Sequence, residues 1–260
     1  MLSLFSKHKK VARPIFAPLG VDIHCHLVPS VDDGSKSSEE TESCLRTMLD
    51  AGFEKVICTP HYQYPRFHNR EDDILQRYDA LKKDLDTLDN DKKLSSHLIG
   101  VAGEYRIDSF FQQRIEDNKF LLVGGHYLLV ELSLHQQVMG LDQLFFDLQM
   151  KNYEIILAHP ERYPYFTGSA SLLEHFKDMG INFQVNILSL SGFYGETPRR
   201  KAYEMIENGW VEYLGTDMHN TLYARALIDA THDKKIEKLV SHHQFLNSQI
   251  TKPLSKSPKI

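Results

Sequence analysis

Val21-Asp22-Ile23-His24-Cys25-His26-Leu27-Val28-Pro29-Ser30-Val31-Asp32-Asp33-Gly34 carries two histidines two positions apart, directly after a short apolar run. On a β-strand, residues i and i+2 project from the same face. His24 and His26 are therefore expected to converge at the C-terminal end of a strand, with Cys25 turned the other way. Two imidazoles followed by the carboxylate-rich turn Asp32-Asp33-Gly34 are the raw material of a metal site. By itself His-x-His is a weak signal, and its value depends on partners elsewhere in the chain.

The rest of the chain is organised to supply them. Short β-branched runs alternate with amphipathic helical patterns, the signature of βα units around a mainly parallel sheet. Strands are expected at Gly20–His24, Lys55–Thr59, Leu98–Ala102, Tyr127–Leu132, Glu154–Ala158, Phe183–Asn186 and Val211–Gly215. Helices are expected at Ser38–Ala51, Asp72–Leu88, Ile107–Asn118, Leu141–Lys151, Ser171–Met179, Pro198–Asn208, Leu222–Asp229 and Ile236–Gln249. Three of them end in Gly52, Gly180 or Gly209 followed by an apolar residue, as a helix does when glycine takes the left-handed cap position. Seven units fit a closed or distorted βα barrel better than an open sheet. One domain at 20–250 is expected, after a basic extension at 1–19 and before a flexible tail at 251–260.

Composition narrows the function. The 260 residues carry a net charge of −5, which gives no basic surface for nucleic acid. No apolar run is long enough to span a bilayer, and the first residues lack the apolar core of a signal peptide. Three cysteines, Cys25, Cys44 and Cys58, are an odd number without a Cys-x-x-Cys pair, so a reducing cytoplasm is the expected location. Fourteen histidines are present, and nine of them have no ligand context: His8, His68, His97, His126, His135, His175, His232, His242 and His243.

In a βα barrel, reactive groups gather at the C-terminal strand ends. Reading those ends in order gives His24 and His26, then His61, Glu104, Glu131, His159, and finally Asp217 with His219. Six of the seven strands thus contribute a ligand type at the same end, with Asp32 and Asp33 in the first loop. A single such residue is ordinarily a hydrogen-bonded loop group, but the recurrence argues for a shared metal site. Imidazoles mixed with carboxylates suit Mn²⁺, Fe or Zn²⁺.

With these motifs in place, the chain resembles the PHP (polymerase and histidinol phosphatase) metal-dependent hydrolases. Within them it looks like the bacterial protein-tyrosine phosphatases of the CpsB/YwqE type, which accompany the tyrosine kinases of capsule and exopolysaccharide synthesis. The resemblance rests on Asp22-Ile23-His24-Cys25-His26, Val31-Asp32-Asp33-Gly34, Thr59-Pro60-His61, Gly103-Glu104, Glu131, His159-Pro160-Glu161-Arg162 and Asp217-Met218-His219-Asn220. It implies a distorted (β/α)7 barrel of TIM-like, PHP type with three divalent ions, by family habit manganese. One ion would take His24, His26, Glu104 and Asp217. A second would share Glu104 and add Glu131 and His159. The third would take Asp33, His61 and His219, with Asp33 chosen over Asp32 because it occupies the position before glycine. Arg162 matches the family's phosphate-binding arginine, and Arg225 is expected to be a second clamp.

The expected activity is phosphotyrosine hydrolysis by a metal-generated hydroxide, on a phosphoprotein such as a bacterial tyrosine kinase. A small-molecule phosphoesterase of histidinol-phosphatase type on the same trinuclear site is the alternative. A cysteine phosphatase is excluded on paper. It needs Cys-x₅-Arg, but six residues after the three cysteines stand Val31, Asp50 and Tyr64. The loop Tyr62-Gln63-Tyr64-Pro65-Arg66-Phe67 is expected at the mouth of the site.

Overall fold

Two of the seven expected strands run past the apolar segments that mark them. In the computed structural model, which describes residues 10–250 except 90–92, 167 and 169, β2 (Lys55–Cys58) is followed by β3 (His61–Tyr62). Pro60, which has no N–H, stands in the break. Likewise β4 (Leu98–Val101) is followed by β5 (Glu104–Arg106), with Gly103 between them. Any side chain at Gly103 would collide with the Tyr62 and Tyr105 rings, 2.6–2.7 Å from its Cβ position. The other strands are β1 (Val21–Asp22), β6 (Tyr127–Glu131), β7 (Glu154–Ala158), β8 (Asn182–Asn186) and β9 (Val211–Gly215).

All strand pairings are parallel. One sheet has the order β1-β2-β4 and the other β3-β5-β6-β7-β8-β9. Backbone bonds continue across the breaks, from Ala102 N–H to Cys58 O and from Glu104 N–H to Pro60 O. The chain beyond β9 also pairs with the chain beyond β1. Cys25 and Met218 form a parallel bridge, His26 N–H donates to Met218 O, and Asp217 N–H donates to His24 O. Between the start of β1 and the later part of β9, Asn247 Nδ2 donates to both Val21 O and Leu214 O.

The helices are α1 (Ser38–Asp50), α2 (Glu71–Leu88), α3 (Phe111–Asp117), α4 (Leu141–Met150), α5 (Ala170–Asp178), α6 (Ile187–Leu190), α7 (Glu196–Glu207), α8 (Thr221–Ala230) and α9 (Lys234–His242). Gly52, Gly180 and Gly209 do take positive φ, at 115°, 82° and 70°. The last expected helix is shifted and shortened. Asp233 caps α9 by accepting from Lys235 N–H and Ile236 N–H. After His242 the chain leaves the helix, and Asn247 reaches β1 and β9. The short helix α6 was not anticipated.

Strand alternation divides the core. Ile57, Ala102, Leu129, Ile156 and Tyr213 pack together on one face, while Val56, Cys58, Leu128, Val130, Ile155, Leu157 and Leu214 face the helices. Burying each large side chain contributes roughly 1.5–3 kcal/mol. Two or four residues further along the first face come His61, Glu104, Glu131 and Asp217, with Gln184 and Asn186 at the equivalent height of β8. The same face is therefore apolar at one end and polar at the other.

The N-terminal extension expected at 1–19 joins this core from Ile15 onward. Ile15, Phe16 and Leu19 are buried, and Phe16 stacks on Phe53 at 5.7 Å. Residues 1–9, and the tail expected at 251–260, lie outside the described residues.

Candidate metal centre

His24 and His26 converge as their spacing demands. Their Nε2 atoms lie 3.3 Å apart, and both rings are fully buried. Each Nε2 is 3.3 Å from Glu104 Oε2, and they lie 3.5 and 3.3 Å from Asp217 Oδ1. Donor atoms held at about 2.1 Å from one cation are themselves separated by about 3.0–3.4 Å, which is the spacing found here.

Glu104 is the hinge of the cluster. Its Oε2 faces His24, His26 and, at 2.9 Å, His61 Nδ1, whereas its Oε1 lies 3.0 Å from His159 Nε2. His61 is paired with Glu104 in strand register, so the extension of the second and third strands brings them together. His61 Nδ1 also approaches Glu131 Oε1 at 3.2 Å. On its other edge, His61 Nε2 is 3.5 Å from Asp33 Oδ1, and His219 Nε2 is 3.6 Å from the same oxygen. All nine residues expected as ligands are thus gathered in one cluster. Four groups of three have ligand atoms within 4.8 Å of one another: His24-His26-Asp217, His24-Glu104-His159, His61-Glu104-Glu131 and His26-His61-His219. His61 therefore bridges two of the expected subsites instead of belonging to one.

The two aspartates of the first loop separate cleanly. Asp32 Oδ2 accepts from His26 Nδ1–H and His61 N–H, both at 2.9 Å, and Oδ1 accepts from Gly34 N–H. Its acceptors are consumed in orienting the ligands. A Cβ at Gly34 would lie 2.1 Å from His26 O, so only glycine lets the loop fold this tightly. Asp33 alone turns an oxygen towards the cluster.

Several contacts fix which ring nitrogen points inward. His26 gives Nδ1–H to Asp32, His219 gives Nδ1–H to Asp217 O at 2.8 Å, and His24 Nδ1 meets Gln184 Oε1 at 2.7 Å. Each leaves Nε2 towards the cluster, the pattern by which neighbouring groups orient ligating histidines. His159 and Asp217 sit at positive φ, 36° and 51°. Non-glycine residues held there cost on the order of 1–3 kcal/mol, strain that collects at functional sites.

Charge in the cluster is incompletely paired. Burial opposes ionisation of Glu104 and Asp217, yet the imidazoles of His24 and His61 around the first, and of His219 and His24 around the second, hold both carboxyls well below the usual range. Burial disfavours the His61 imidazolium, but Glu104 leads the groups that push it up to about 10. Glu104 Oε2, Glu131 Oε1, Asp33 Oδ1 and His61 Nδ1 are buried without a well-formed hydrogen bond despite their short approaches. Such atoms aim at a common space instead of at each other, and buried carboxylates that crowd together call for cations. The donor set therefore fits divalent metal ions.

Arg162 reaches the cluster. Its Nη1 donates to Asp217 Oδ2 at 3.0 Å, and its guanidinium lies 4.2 Å over the Tyr194 ring. Arg225, exposed on α8, pairs with no carboxylate of the cluster among the described residues. It lies about 200° around the helix from Tyr223, and it is Tyr223 that stacks on His219 at 5.0 Å. Two other arginines reach the site. Arg106 Nη2 donates to Glu131 Oε2 at 3.1 Å, with its Nε in ion-pair range of Oε1 at 2.9 Å, and Arg66 Nη2 lies 3.0 Å from Asp33 Oδ2. Position i+2 from Glu104 on the same strand was the available signal for Arg106.

Cys25 is fully buried, its Sγ directed at Ile57 O, and burial pushes its thiol well above the ordinary value. A thiolate nucleophile there is unavailable. Around the opening, Phe67 stacks almost parallel on His61, and Tyr64 stacks on Phe110 at 4.2 Å. A groove of about 460 Å³ runs past Gln63, Tyr64, Arg106 and Ser133.

A family model described as capsular polysaccharide synthesis, CpsB/CapC, matches residues 20–247. Tyrosine-protein phosphatase YwqE of Bacillus subtilis is 29% identical over 201 residues, 77% of each chain. Tyrosine-protein phosphatase CpsB of Streptococcus pneumoniae is 26% identical over 209 residues, 77% of this chain and 83% of that one. A solved chain from the crystal structures of these two enzymes, described as unique metal-dependent tyrosine phosphatases, superposes with a TM-score of 0.71 at 25% identity. That match covers 92% of this chain and 98% of the other.

Proposed function

The chain belongs to the CpsB/CapC family of capsular polysaccharide synthesis, and from that premise we propose that it is a metal-dependent protein-tyrosine phosphatase. The observation that carries the reading is the convergence of five imidazoles and four carboxylates on one buried cluster, with an arginine beside it. The substrate is a phosphotyrosine protein, for which we propose a tyrosine kinase of capsule or exopolysaccharide synthesis. The phosphatase domain is taken as residues 20–250, and the parallel ring from β1 to β9, linked through Cys25 and Met218, is read as the distorted seven-stranded barrel. Among the described residues no helix is long and apolar enough to cross a membrane. A cytoplasmic location is part of the proposal and is supported by the three free, buried cysteines.

His24, His26, Glu104 and Asp217 are assigned to one ion, Glu104, Glu131 and His159 to a second, and Asp33, His61 and His219 to a third, with manganese as the proposed metal. When bound, such ions lower the pKa of water to near neutrality and neutralise phosphoryl oxygens. The chain's own residues do the rest. Glu104 sits between two subsites and holds their ligands at a common distance. Asp32, Gln184 and Asp217 O orient imidazole edges so that no histidine must turn before acting. Arg162 presents a planar pair of N–H donors matched to phosphate oxygens, and the Tyr194 ring beneath keeps that plane in place. A tyrosine phenolate has a parent pKa near 10, so its departure needs less proton assistance than an alkoxide.

Phosphate release from phosphotyrosine peptides should vanish on treatment with EDTA and return with Mn²⁺. Metal-loaded protein that leaves such peptides intact while hydrolysing histidinol phosphate would overturn the tyrosine-phosphatase reading in favour of the small-molecule alternative.

A further inference from the structure

Strand β8 contributes no ligand to the cluster, yet it ends in two buried amides, Gln184 and Asn186, on the face where its neighbours carry theirs. Gln184 Oε1 lies 2.7 Å from His24 Nδ1, Gln184 Nε2 donates to Asn186 Oδ1 at 2.9 Å, and Asn186 Nδ2 donates to Asp217 Oδ2 at 2.7 Å. A continuous chain of amides thus joins two residues that share a subsite.

The direction of that chain follows from its end. The Asp217 carboxylate can only accept, so Asn186 must offer it the NH₂ group. That turns Asn186 Oδ1 towards Gln184, which must in turn donate from Nε2. Gln184 Oε1 then faces His24, and His24 must carry its proton on Nδ1. Its Nε2 lone pair is left pointing at Asp217 Oδ1 and Glu104 Oε2. Space is reserved for this arrangement: a Cβ at Gly215 would lie 2.7 Å from Gln184 Nε2 and 2.9 Å from His24 Cβ.

We propose that Gln184 and Asn186 are positioning residues that lock His24 in the Nδ1–H tautomer through the Asp217 carboxylate and so set the affinity of this subsite for its ion. The inference rests on the metal-centre reading but not on the identity of the substrate. Removing a group that orients a ligating histidine costs roughly 10–100-fold in metal affinity.

The test is titration of the metal-free full chain with Mn²⁺ by calorimetry, alongside long-range proton–nitrogen correlation spectra of its histidines. The wild type should show His24 protonated at Nδ1 before any metal is added. Gln184→Met, close in volume, should remain folded by circular dichroism, lose that single tautomer and bind Mn²⁺ more weakly by the factor above. Gln184→Glu, which still accepts from His24 but has no N–H for Asn186 Oδ1, should keep the Nδ1–H tautomer. Wild-type affinity in Gln184→Met, an Nε2–H tautomer in the wild type, or loss of the Nδ1–H tautomer in Gln184→Glu would overturn the proposal. A wild type that binds no Mn²⁺ would instead overturn the metal centre on which it stands.

Discussion

His26 Nδ1–H donates to Asp32 Oδ2 at 2.9 Å, in a pair whose side chains are wholly buried. The neighbouring Asp33 makes no such bond and faces His61 and His219 across 3.5–3.6 Å. Adjacent carboxylates therefore differ in placement, one bonded to the His26 ring and one facing His61 and His219, which on the proposed assignment makes Asp33 the ligand. Asp33→Ala should fold normally and lose kcat/KM on phosphotyrosine peptides by at least ~10²-fold, the scale of removing a key electrostatic group. Asp32→Ala strands buried partners and should also lose about 1–3 kcal/mol of stability. Urea unfolding of both variants beside peptide turnover checks the contrast.

The two candidate arginines should differ as sharply. Arg162 is largely buried against Asp217 and Tyr194, whereas Arg225 is exposed on α8. Arg162→Lys keeps the charge but loses the planar pair of donors, and kcat/KM should fall by about 10²-fold. Arg225→Ala should retain wild-type turnover. Steady-state kinetics on one peptide suffice, and a severe loss in the Arg225 variant would restore it as the clamp.

Cations should stabilise the fold as well as activate it. An ion present at about 100 times its Kd adds about 2.7 kcal/mol to the folded state, which for a chain of this size raises Tm by about 5–10 °C. Differential scanning calorimetry of metal-free protein with and without Mn²⁺ measures the shift. An Asp217→Ala variant should show a smaller one.

Asp22 predicts a pH dependence in the metal-free protein. Its carboxyl accepts from Thr216 N–H and Thr216 Oγ1–H, but burial outweighs both bonds and pushes it up to about 7 from an ordinary 3.8. Between those values the folded chain keeps a proton that the unfolded chain has released. The contribution of Asp22 is therefore fully present below about pH 4 and is lost as pH rises through 7. Asp22→Asn should flatten that part of the stability profile, read from urea midpoints between pH 4 and 8.

Tyr64 tests the mouth of the site. It is partly exposed and stacked on Phe110, beside the groove that passes Arg106. Tyr64→Ala should raise KM for phosphotyrosine peptides while leaving kcat close to wild type. Unchanged KM would return the loop to a packing role on the rim.

Much of this was legible in the order of residues. Alternation of apolar runs with helical patterns determined seven βα units, and strand parity put His24 and His26 on one face and Cys25 on the other. The recurrence of His, Asp and Glu at successive strand ends identified eight members of the cluster, because local periodicity decides which way a side chain points, and the family resemblance added Asp33. Only the tertiary structure decided how those ends meet. Register across Pro60 and Gly103 set His61 against Glu104, packing brought Arg106 to Glu131, and the loop turn at Gly34 divided Asp32 from Asp33. The orienting amides Gln184 and Asn186 carried no sequence signal, since glutamine and asparagine at a strand end are unremarkable until their partners are known. His24 and Gln184 are 160 residues apart, and a hydrogen bond between them depends on the three-dimensional packing of two distant strands, which no local pattern encodes.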